Sequence, residues 1–237
     1  MLKITALTKK YSGRAAVDNL SLTIENGDIY GFIGSNGAGK TTTIKCIAGI
    51  HDFDSGEITI DGYSVTEEPL LCKSILAYIP DNPDIYEHLT GIQYLNFIAD
   101  MYGVTAAERT ERIEKYAGLF EITGNLGDLI SSYSHGMKQK LVLTGAFIHK
   151  PKLLILDEPF VGLDPKAALT LKNLMREECA RGCAIFFSTH VLDVAEKLCT
   201  RVAIIKHGRL IASGDMESLT RDKSLEDVFM EMAAKDE

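Results

Sequence analysis

The chain has 237 residues, of which 46% are hydrophobic and 24% charged, so it can bury a core of ordinary globular composition. Its formal net charge of −8 argues against general binding to nucleic acid or anionic lipid, because those surfaces attract basic proteins. The N-terminus lacks the pattern of a secretory signal, and no run approaches the roughly 18 uncharged apolar residues of a membrane span, so we expect a soluble protein that reaches a membrane only through a partner.

The first 63 residues are rich in predicted strands. Alternating or continuous apolar residues predict strands, and a glycine-rich turn followed by a longer periodic run predicts one helix. The predicted strands are Leu2–Tyr11, Leu20–Ile24, Asp28–Ile33 and Gly56–Tyr63, and the predicted helix is Lys40–Ile50. Asp61-Gly62 is typical of a turn.

The middle of the chain is predicted to be helical. Thr90 and Thr105 are each followed three residues later by Gln or Glu, which is the spacing of a capping box. Apolar residues then recur on one helical face, first at Ile92, Leu95 and Ile98, and again at Ile113, Tyr116 and Phe120. We therefore predict a helical insertion over residues 87–134.

The last third alternates between strands and helices. Leu153–Leu156 and Ala184–Ser188 are short apolar runs typical of strands buried on both faces. Between them, Asp164-Pro165 can begin a helix and Gly182 can end it. The resulting order of strand, helix and strand predicts a right-handed parallel crossover. Val202–Ile205 and Arg209–Ile211 are expected to form a hairpin, and Met230–Glu237 a frayed tail.

A phosphate-binding loop is predicted between the strand 28–33 and the helix that begins at Lys40. The run 34–41 matches the Walker A (P-loop) pattern G-x-x-x-x-G-K-[ST] in full. Its glycines allow backbone N–H groups to point at phosphate oxygens, Lys40 supplies a point charge, and the Thr41 hydroxyl can ligate Mg²⁺. The predicted nucleotide contacts are Gly34, Ser35, Asn36, Gly37, Ala38, Gly39, Lys40, Thr41 and Thr42.

Two adjacent acids end the apolar run 153–156. Ligands bind at the carboxyl ends of parallel strands, so Asp157 is placed to hold Mg²⁺ and Glu158 to orient and deprotonate an attacking water. One of these acids could instead cap the next secondary-structure element. That structural role does not explain two adjacent acids in a chain that also has a phosphate loop.

Four further features resemble the ATP-binding cassette (ABC) ATPases. Tyr133-Ser-His-Gly-Met137 resembles the family's signature, 162–164 its D-loop, and Ser188-Thr-His190 its switch-histidine motif. Tyr11 stands where the family stacks an aromatic ring on adenine. The resemblance extends from Leu2 to about Met230.

The resemblance implies one nucleotide-binding domain over 1–237, with an α/β P-loop NTPase core. That core has a mainly parallel sheet with flanking helices, an N-terminal antiparallel β subdomain and the helical insertion. It also implies ATP hydrolysis with Mg²⁺, with Glu158 and His190 as catalytic residues. Ser134 and the Gly136 backbone would contact ATP held by a second subunit, either an identical copy or a close paralogue.

Two departures from the family pattern stand out. His135 and Met137 replace the usual glycine and glutamine of the signature. Asp81 stands where the family usually has a glutamine that senses Mg²⁺ and the membrane partner, and a carboxylate can ligate Mg²⁺ directly or through water.

Two classes of function are compatible with these features. The first is the motor subunit of an ABC transporter, at the cytoplasmic face of a membrane through a separate permease. The signature, Asp81 and the run 224–230 resemble export-type members. For this class we predict that a helix of the permease contacts the apolar side chains between Asp81 and Tyr102, which are Ile85, Tyr86, Leu89, Tyr94 and Phe97. The second is a soluble ABC ATPase that acts on a macromolecular partner. A third class, a kinase or GTPase with a phosphate loop, does not account for the segment that resembles the signature or for the switch histidine.

Overall fold

A computed structural model describes residues 1–83, 85–221 and 223–234 and places ten strands in two sheets. The strands are β1 (Leu2–Tyr11), β2 (Arg14–Ile24), β3 (Ile29–Ile33), β4 (Ser55–Ile60), β5 (Tyr63–Ser64), β6 (Leu76–Ile79), β7 (Leu153–Asp157), β8 (Ala184–Thr189), β9 (Arg201–Lys206) and β10 (Arg209–Asp215). An antiparallel sheet has the order β2-β1-β4-β5, and a second sheet has the order β10-β9-β3-β8-β7-β6. The second sheet is parallel except for β10, which pairs antiparallel with β9.

Nine helices are distributed along the described residues. They are α1 (Lys40–Ile47), α2 (Pro69–Ile75), α3 (Gly91–Met101), α4 (Ala106–Leu119), α5 (His135–Ile148), α6 (Pro165–Ala180), α7 (Leu192–Leu198), α8 (Met216–Leu219) and α9 (Leu225–Ala234). The predicted α/β class with a P-loop NTPase core, a mainly parallel sheet, flanking helices and an antiparallel β unit is confirmed. No helix in these ranges is both long and apolar enough to cross a bilayer.

The parallel sheet separates two apolar clusters. Successive side chains of β7 point to opposite faces: Leu153 and Ile155 join the cluster shared with α1 and the antiparallel sheet. Leu154 and Leu156 join the cluster shared with α3, α4, α5 and α6. Because both faces are covered, β3, β7 and β8 are buried along their whole length, which explains their continuous apolar sequences.

The predicted caps in the helical segment are present. Thr90 forms a complete capping box with Gln93 at the start of α3, and the Thr105 hydroxyl accepts the Glu108 N–H at the start of α4. Leu95, Tyr116 and Phe120 are buried in the apolar cluster that also contains α5. The assignment of 87–134 as a separate subdomain stays a prediction.

Several details differ from the sequence predictions, including the bounds of three strands: β2 begins at Arg14, β4 ends at Ile60 and β10 extends to Asp215. The helix expected over Lys40–Ile50 ends at Ile47, because Gly49 adopts a left-handed conformation with φ of +64°. The predicted frayed tail is wrong for residues 230–234, which continue α9; residues 235–237 lie outside the described part of the chain. Leu225 anchors this helix in the core. The sequence patterns did not predict the strands β5 and β6 or the helices α2, α7, α8 and α9.

Candidate functional site

The loop between β3 and α1 wraps closely against neighbouring backbone. A Cβ added at Gly34 would lie 2.5 Å from the Ile205 carbonyl oxygen, and one at Gly39 would lie 2.4 Å from that of Ala16. Gly39 also has a φ of +109°, which side chains rarely adopt. Both glycines are therefore required by close packing, and the loop leads directly into the N-terminus of α1, which favours anions.

Lys40 connects this loop to the acid pair. Its side chain is buried, and the ammonium donates to the Gly34 carbonyl at 2.8 Å and to the Ser35 carbonyl at 3.3 Å. The same nitrogen lies 3.5 Å from Glu158 Oε1. The cation predicted to contact phosphate is thus held beside the acid predicted to activate water.

Asp157 is the last residue of β7 and is fully buried. Its Oδ1 accepts a hydrogen bond from Ser188 Oγ at 2.5 Å. Burial raises the pKa of Asp157 above its ordinary value, while hydrogen bonds from Ser188 and Thr41 oppose that rise.

Glu158 has an unusual backbone conformation for a side-chain-bearing residue. Its φ of +47° lies in the left-handed region, which costs an L-residue about 1–2 kcal/mol. Its amide donates to Ser188 Oγ at 3.0 Å, and its Oε2 lies 3.0 Å from His190 Nδ1. Backbone strain of this kind clusters at functional sites, where surrounding contacts maintain it.

A cavity of about 430 Å³ opens at this edge of the sheet. Its lining residues come from the phosphate loop, the segment after β6, the end of β7 and the β1–β2 hairpin. They are Ala16, Asn36, Gly37, Gly39, Lys40, Thr41, Thr42, Asp81 and Glu158. The structure therefore brings together most of the residues predicted for phosphate binding, metal binding and hydrolysis.

Eight predicted site residues are not part of this cavity lining. Gly34, Ser35 and Ala38 belong to the phosphate loop, Asp157 precedes Glu158, and His190 contacts Glu158. The other three are Tyr11, Ser134 and Gly136. Tyr11 is 45% exposed at the end of β1, with the Lys9 ammonium 5.2 Å from the centre of its ring. Ser134 and Gly136 lie at the N-terminus of α5, where the Ser134 hydroxyl accepts the Met137 N–H at 3.3 Å. A role for Ser134 in nucleotide binding would therefore require a second subunit.

The N-terminal part of α5 contacts the loop that follows the acid pair. A Cβ added at Gly136 would lie 2.9 Å from the Gly162 carbonyl oxygen, and the Lys140 ammonium lies 2.7 Å from Asp164 Oδ2. Asp164 also caps α6 by accepting the Ala167 N–H at 2.8 Å. The segments that resemble the signature and the D-loop are thus packed against each other within one chain.

Sequence reasoning missed two residues of the site. Ala16 lines the cavity, and Ser188 bridges both acids. Ala16 carries no chemical signal of its own. Ser188 was part of the motif that ends at His190, but its partners depend on the register of β7 and β8, which pairs Asp157 with Ser188.

The residues present fit a Mg²⁺ ion. Asp157 Oδ2 is buried and lacks a hydrogen-bond partner among the described residues, and the Thr41 side chain lies within hydrogen-bond reach of the same carboxyl group. The structure shows no cluster of three or more His, Cys, Asp or Glu ligands within the ranges it describes. This sparse set suits Mg²⁺, which usually takes one or two carboxylates together with substrate phosphates and water.

Solved structures share this fold over nearly the whole chain. A structure described as the ATP-binding subunit of an ABC transporter matches with a TM-score of 0.95 and 35% identity, over 98% of this chain and 99% of the other. A dimeric ATP-binding cassette, MJ0796, bound to ADP and Pi, matches with a TM-score of 0.83 and 20% identity, over 91% of this chain and 99% of the other.

Sequence comparisons agree with that fold. Residues 17–161 match the family model described as ABC transporter. The ABC-type transporter ATP-binding protein EcsA of Bacillus subtilis is 35% identical over 100% of this chain and 98% of its own length. The linearmycin resistance ATP-binding protein LnrL of the same species is 34% identical over 92% of this chain and 70% of its own length. The resemblance inferred from the motifs is therefore confirmed: the chain belongs to the ABC transporter family as one of its ATP-binding cassettes.

Proposed function

We propose that this chain binds and hydrolyses ATP to power transport, in the export direction, through a separate membrane permease. The observation that supports hydrolysis best is the position of Glu158, which lies between Lys40 and His190 at the rim of the phosphate-loop cavity. This arrangement brings a carboxylate, a cation and a histidine into contact, which supports the proposed role of Glu158 as the base.

The proposed hydrolysis uses six side chains of one subunit. Backbone N–H groups of the loop and Lys40 bind the phosphates, and Glu158 orients the attacking water and accepts its proton. His190 holds Glu158 Oε2 and would contact the γ-phosphate. Thr41 and Asp157, with Asp81 nearby, would hold Mg²⁺, which would neutralise phosphate charge when bound.

Nucleotide selectivity is expected to be weak. The proposed platform for the base is the exposed ring of Tyr11, and an aromatic face can stack on any purine. GTP should therefore bind within about an order of magnitude of ATP, a gap of roughly 1.4 kcal/mol in calorimetry. Tyr11→Ala should weaken both nucleotides to the same extent. A hundredfold preference for ATP would show that another element reads the base.

The export direction rests on relatives. LnrL carries the name of a linearmycin resistance protein, and a daunorubicin/doxorubicin resistance ATP-binding protein, DrrA of Streptomyces peucetius, is 34% identical over 90% of this chain and 64% of its own length. Resistance is most simply achieved by moving a toxic compound out of the cell. We therefore propose an export role at the cytoplasmic face of the membrane, with a second nucleotide-binding subunit.

The proposed permease contact is the surface formed by Tyr86, Phe97 and Met101, here called the aromatic surface. These side chains are 53%, 40% and 62% exposed, and the rings of Tyr86 and Phe97 meet edge to face at 5.7 Å. Ile85 and Leu89, which were also predicted to belong to it, are half-buried against the core.

Tyr94 was predicted to lie on this surface, and that prediction is wrong. Its ring packs into the core, where a Cβ added at Gly145 on α5 would lie 3.4 Å from it. Asp81 lies at the cavity, five residues before Tyr86 in sequence, so the segment between them joins the proposed γ-phosphate site to the aromatic surface. Pro80 precedes this segment and Pro83 lies within it, and each proline restricts its own backbone φ angle.

Crosslinking tests the transporter proposal. Tyr86→Cys and Phe97→Cys should each crosslink to a cytoplasmic loop of a co-expressed permease, because both side chains are exposed on the aromatic surface. Burial raises the pKa of Cys46 to about 11 and of Cys183 to about 12, so these native thiols are poorly reactive. Cys72 and Cys199 are also buried, and the half-buried Cys179 should be replaced.

The control for this experiment is Met230→Cys, which is more exposed than either test position but lies on α9. It should not crosslink to the permease. Tyr86→Asp should uncouple transport while the isolated subunit still hydrolyses ATP. Capture of soluble proteins alone at Tyr86 and Phe97 would favour a soluble ABC ATPase over a transporter subunit.

A further inference from the structure

Ser188 is a buried hydroxyl that touches both acids of the site. It is fully inaccessible at the carboxyl end of β8, directly beside Asp157 in the parallel register. Its Oγ donates to Asp157 Oδ1 at 2.5 Å and accepts the Glu158 N–H at 3.0 Å. One hydroxyl supplies one donor and can accept as well, so both contacts can form at once.

We infer that Ser188 is a positioning residue for ATP hydrolysis, fixing the left-handed backbone at Glu158 so that its carboxylate meets Lys40 and His190. This inference rests on the function proposed above. Ser188 acts through Glu158 and is not placed to touch the reacting atoms.

The need for such a residue follows from the geometry of Glu158. A φ of +47° is unfavourable for glutamate, and the Glu158 amide would lose its partner if the Ser188 hydroxyl were removed. The backbone would then be free to relax toward an ordinary conformation. The carboxylate is attached two bonds beyond Cβ, so a small rotation of φ moves it away from the positions 3.5 Å from Lys40 and 3.0 Å from His190.

Phosphate binding should be affected much less than turnover. The contacts of Lys40 with the loop carbonyls and the close packing of Gly34 and Gly39 do not involve Ser188. In steady-state ATPase assays, Ser188→Ala should lower kcat by about tenfold to a hundredfold, the cost of misplacing a reacting group by about 1 Å. The KM for ATP should change by less than about threefold.

The conservative variant Ser188→Thr retains the hydroxyl and should restore most of the lost kcat. Thr144→Val is the matched control, because Thr144 is equally buried but its hydroxyl donates to the Lys140 carbonyl within α5. It should keep kcat within about twofold of wild type. Thermal melting of every variant identifies losses that come from unfolding.

Several outcomes would overturn the inference. One is a wild-type kcat in Ser188→Ala. Another is an equal loss of kcat in Ser188→Ala and Thr144→Val. A third is a folded Ser188→Thr variant whose kcat is as low as that of Ser188→Ala. If Ser188→Ala does not fold, Ser188→Cys offers a similar shape with a weaker hydrogen-bonding group, and wild-type turnover there would overturn it too. A wild-type protein that binds but never hydrolyses ATP would overturn the proposed function along with the inference.

Discussion

Replacing Glu158 with glutamine should reduce ATP turnover by about a hundredfold to ten-thousandfold, which is the usual contribution of a positioned general base. Glutamine keeps the shape of the side chain but removes its basicity and its charge. In the structure Glu158 lies 3.5 Å from Lys40 Nζ and 3.0 Å from His190 Nδ1, so its carboxylate is held at the cavity rim by groups on two other segments. Phosphate-release assays at saturating ATP and Mg²⁺ measure this loss.

ATP binding by Glu158→Gln should be at least as tight as in wild type, because the substitution removes a negative charge beside the phosphate site. Lys40→Ala provides the contrast: it removes the cation that the loop carbonyls hold, so binding itself should weaken. Wild-type turnover in Glu158→Gln would exclude Glu158 as the base and move the search to His190.

Features set by short stretches of sequence could be predicted from the sequence. The caps at Thr90, Thr105 and Asp164 each satisfy a backbone N–H three residues away, and all three are present. The phosphate loop is also local: its glycines, Lys40 and Thr41 lie within eight consecutive residues. These features can be predicted without knowing which distant residues pack on them.

Features set by distant partners were missed. β6 follows α2 without an intervening polar residue, and the apolar run 75–79 has no periodicity that distinguishes a strand from a helix. This run becomes a strand because it pairs with β7, which is distant in sequence. Tyr94 becomes buried because Gly145, on another helix, leaves room for its ring. The contacts of Ser188 require the register between β7 and β8. In each case the deciding contact lies at least 30 residues away in sequence.

ATP should convert Glu158→Gln from a monomer to a dimer, and adding Ser134→Arg should abolish that dimer. Ser134 is exposed at the N-terminus of α5 and lies outside the lining of the phosphate cavity in its own chain. Helix N-termini attract phosphate, so the free end of α5 is suited to the γ-phosphate held by a second subunit. An arginine there would hold the two surfaces apart and weaken the dimer by at least about a hundredfold, or roughly 2.7 kcal/mol.

Sedimentation velocity with and without ATP measures the dimer, and calorimetry shows whether the double variant still binds its first nucleotide through the intact phosphate loop.

Thr105→Arg in the Glu158→Gln background is the matched control. It introduces the same side chain at another exposed helix cap, where Thr105 accepts the Glu108 N–H just as Ser134 accepts the Met137 N–H. Both substitutions lose a cap that contributes about 1 kcal/mol, so any general loss of stability should be equal in the two. Only Ser134→Arg should prevent dimerisation. A dimer that forms without nucleotide, or one that survives Ser134→Arg, would mean that α5 does not complete the partner's site. Asp157, Glu158 and His190 would then have to act on ATP within a single subunit.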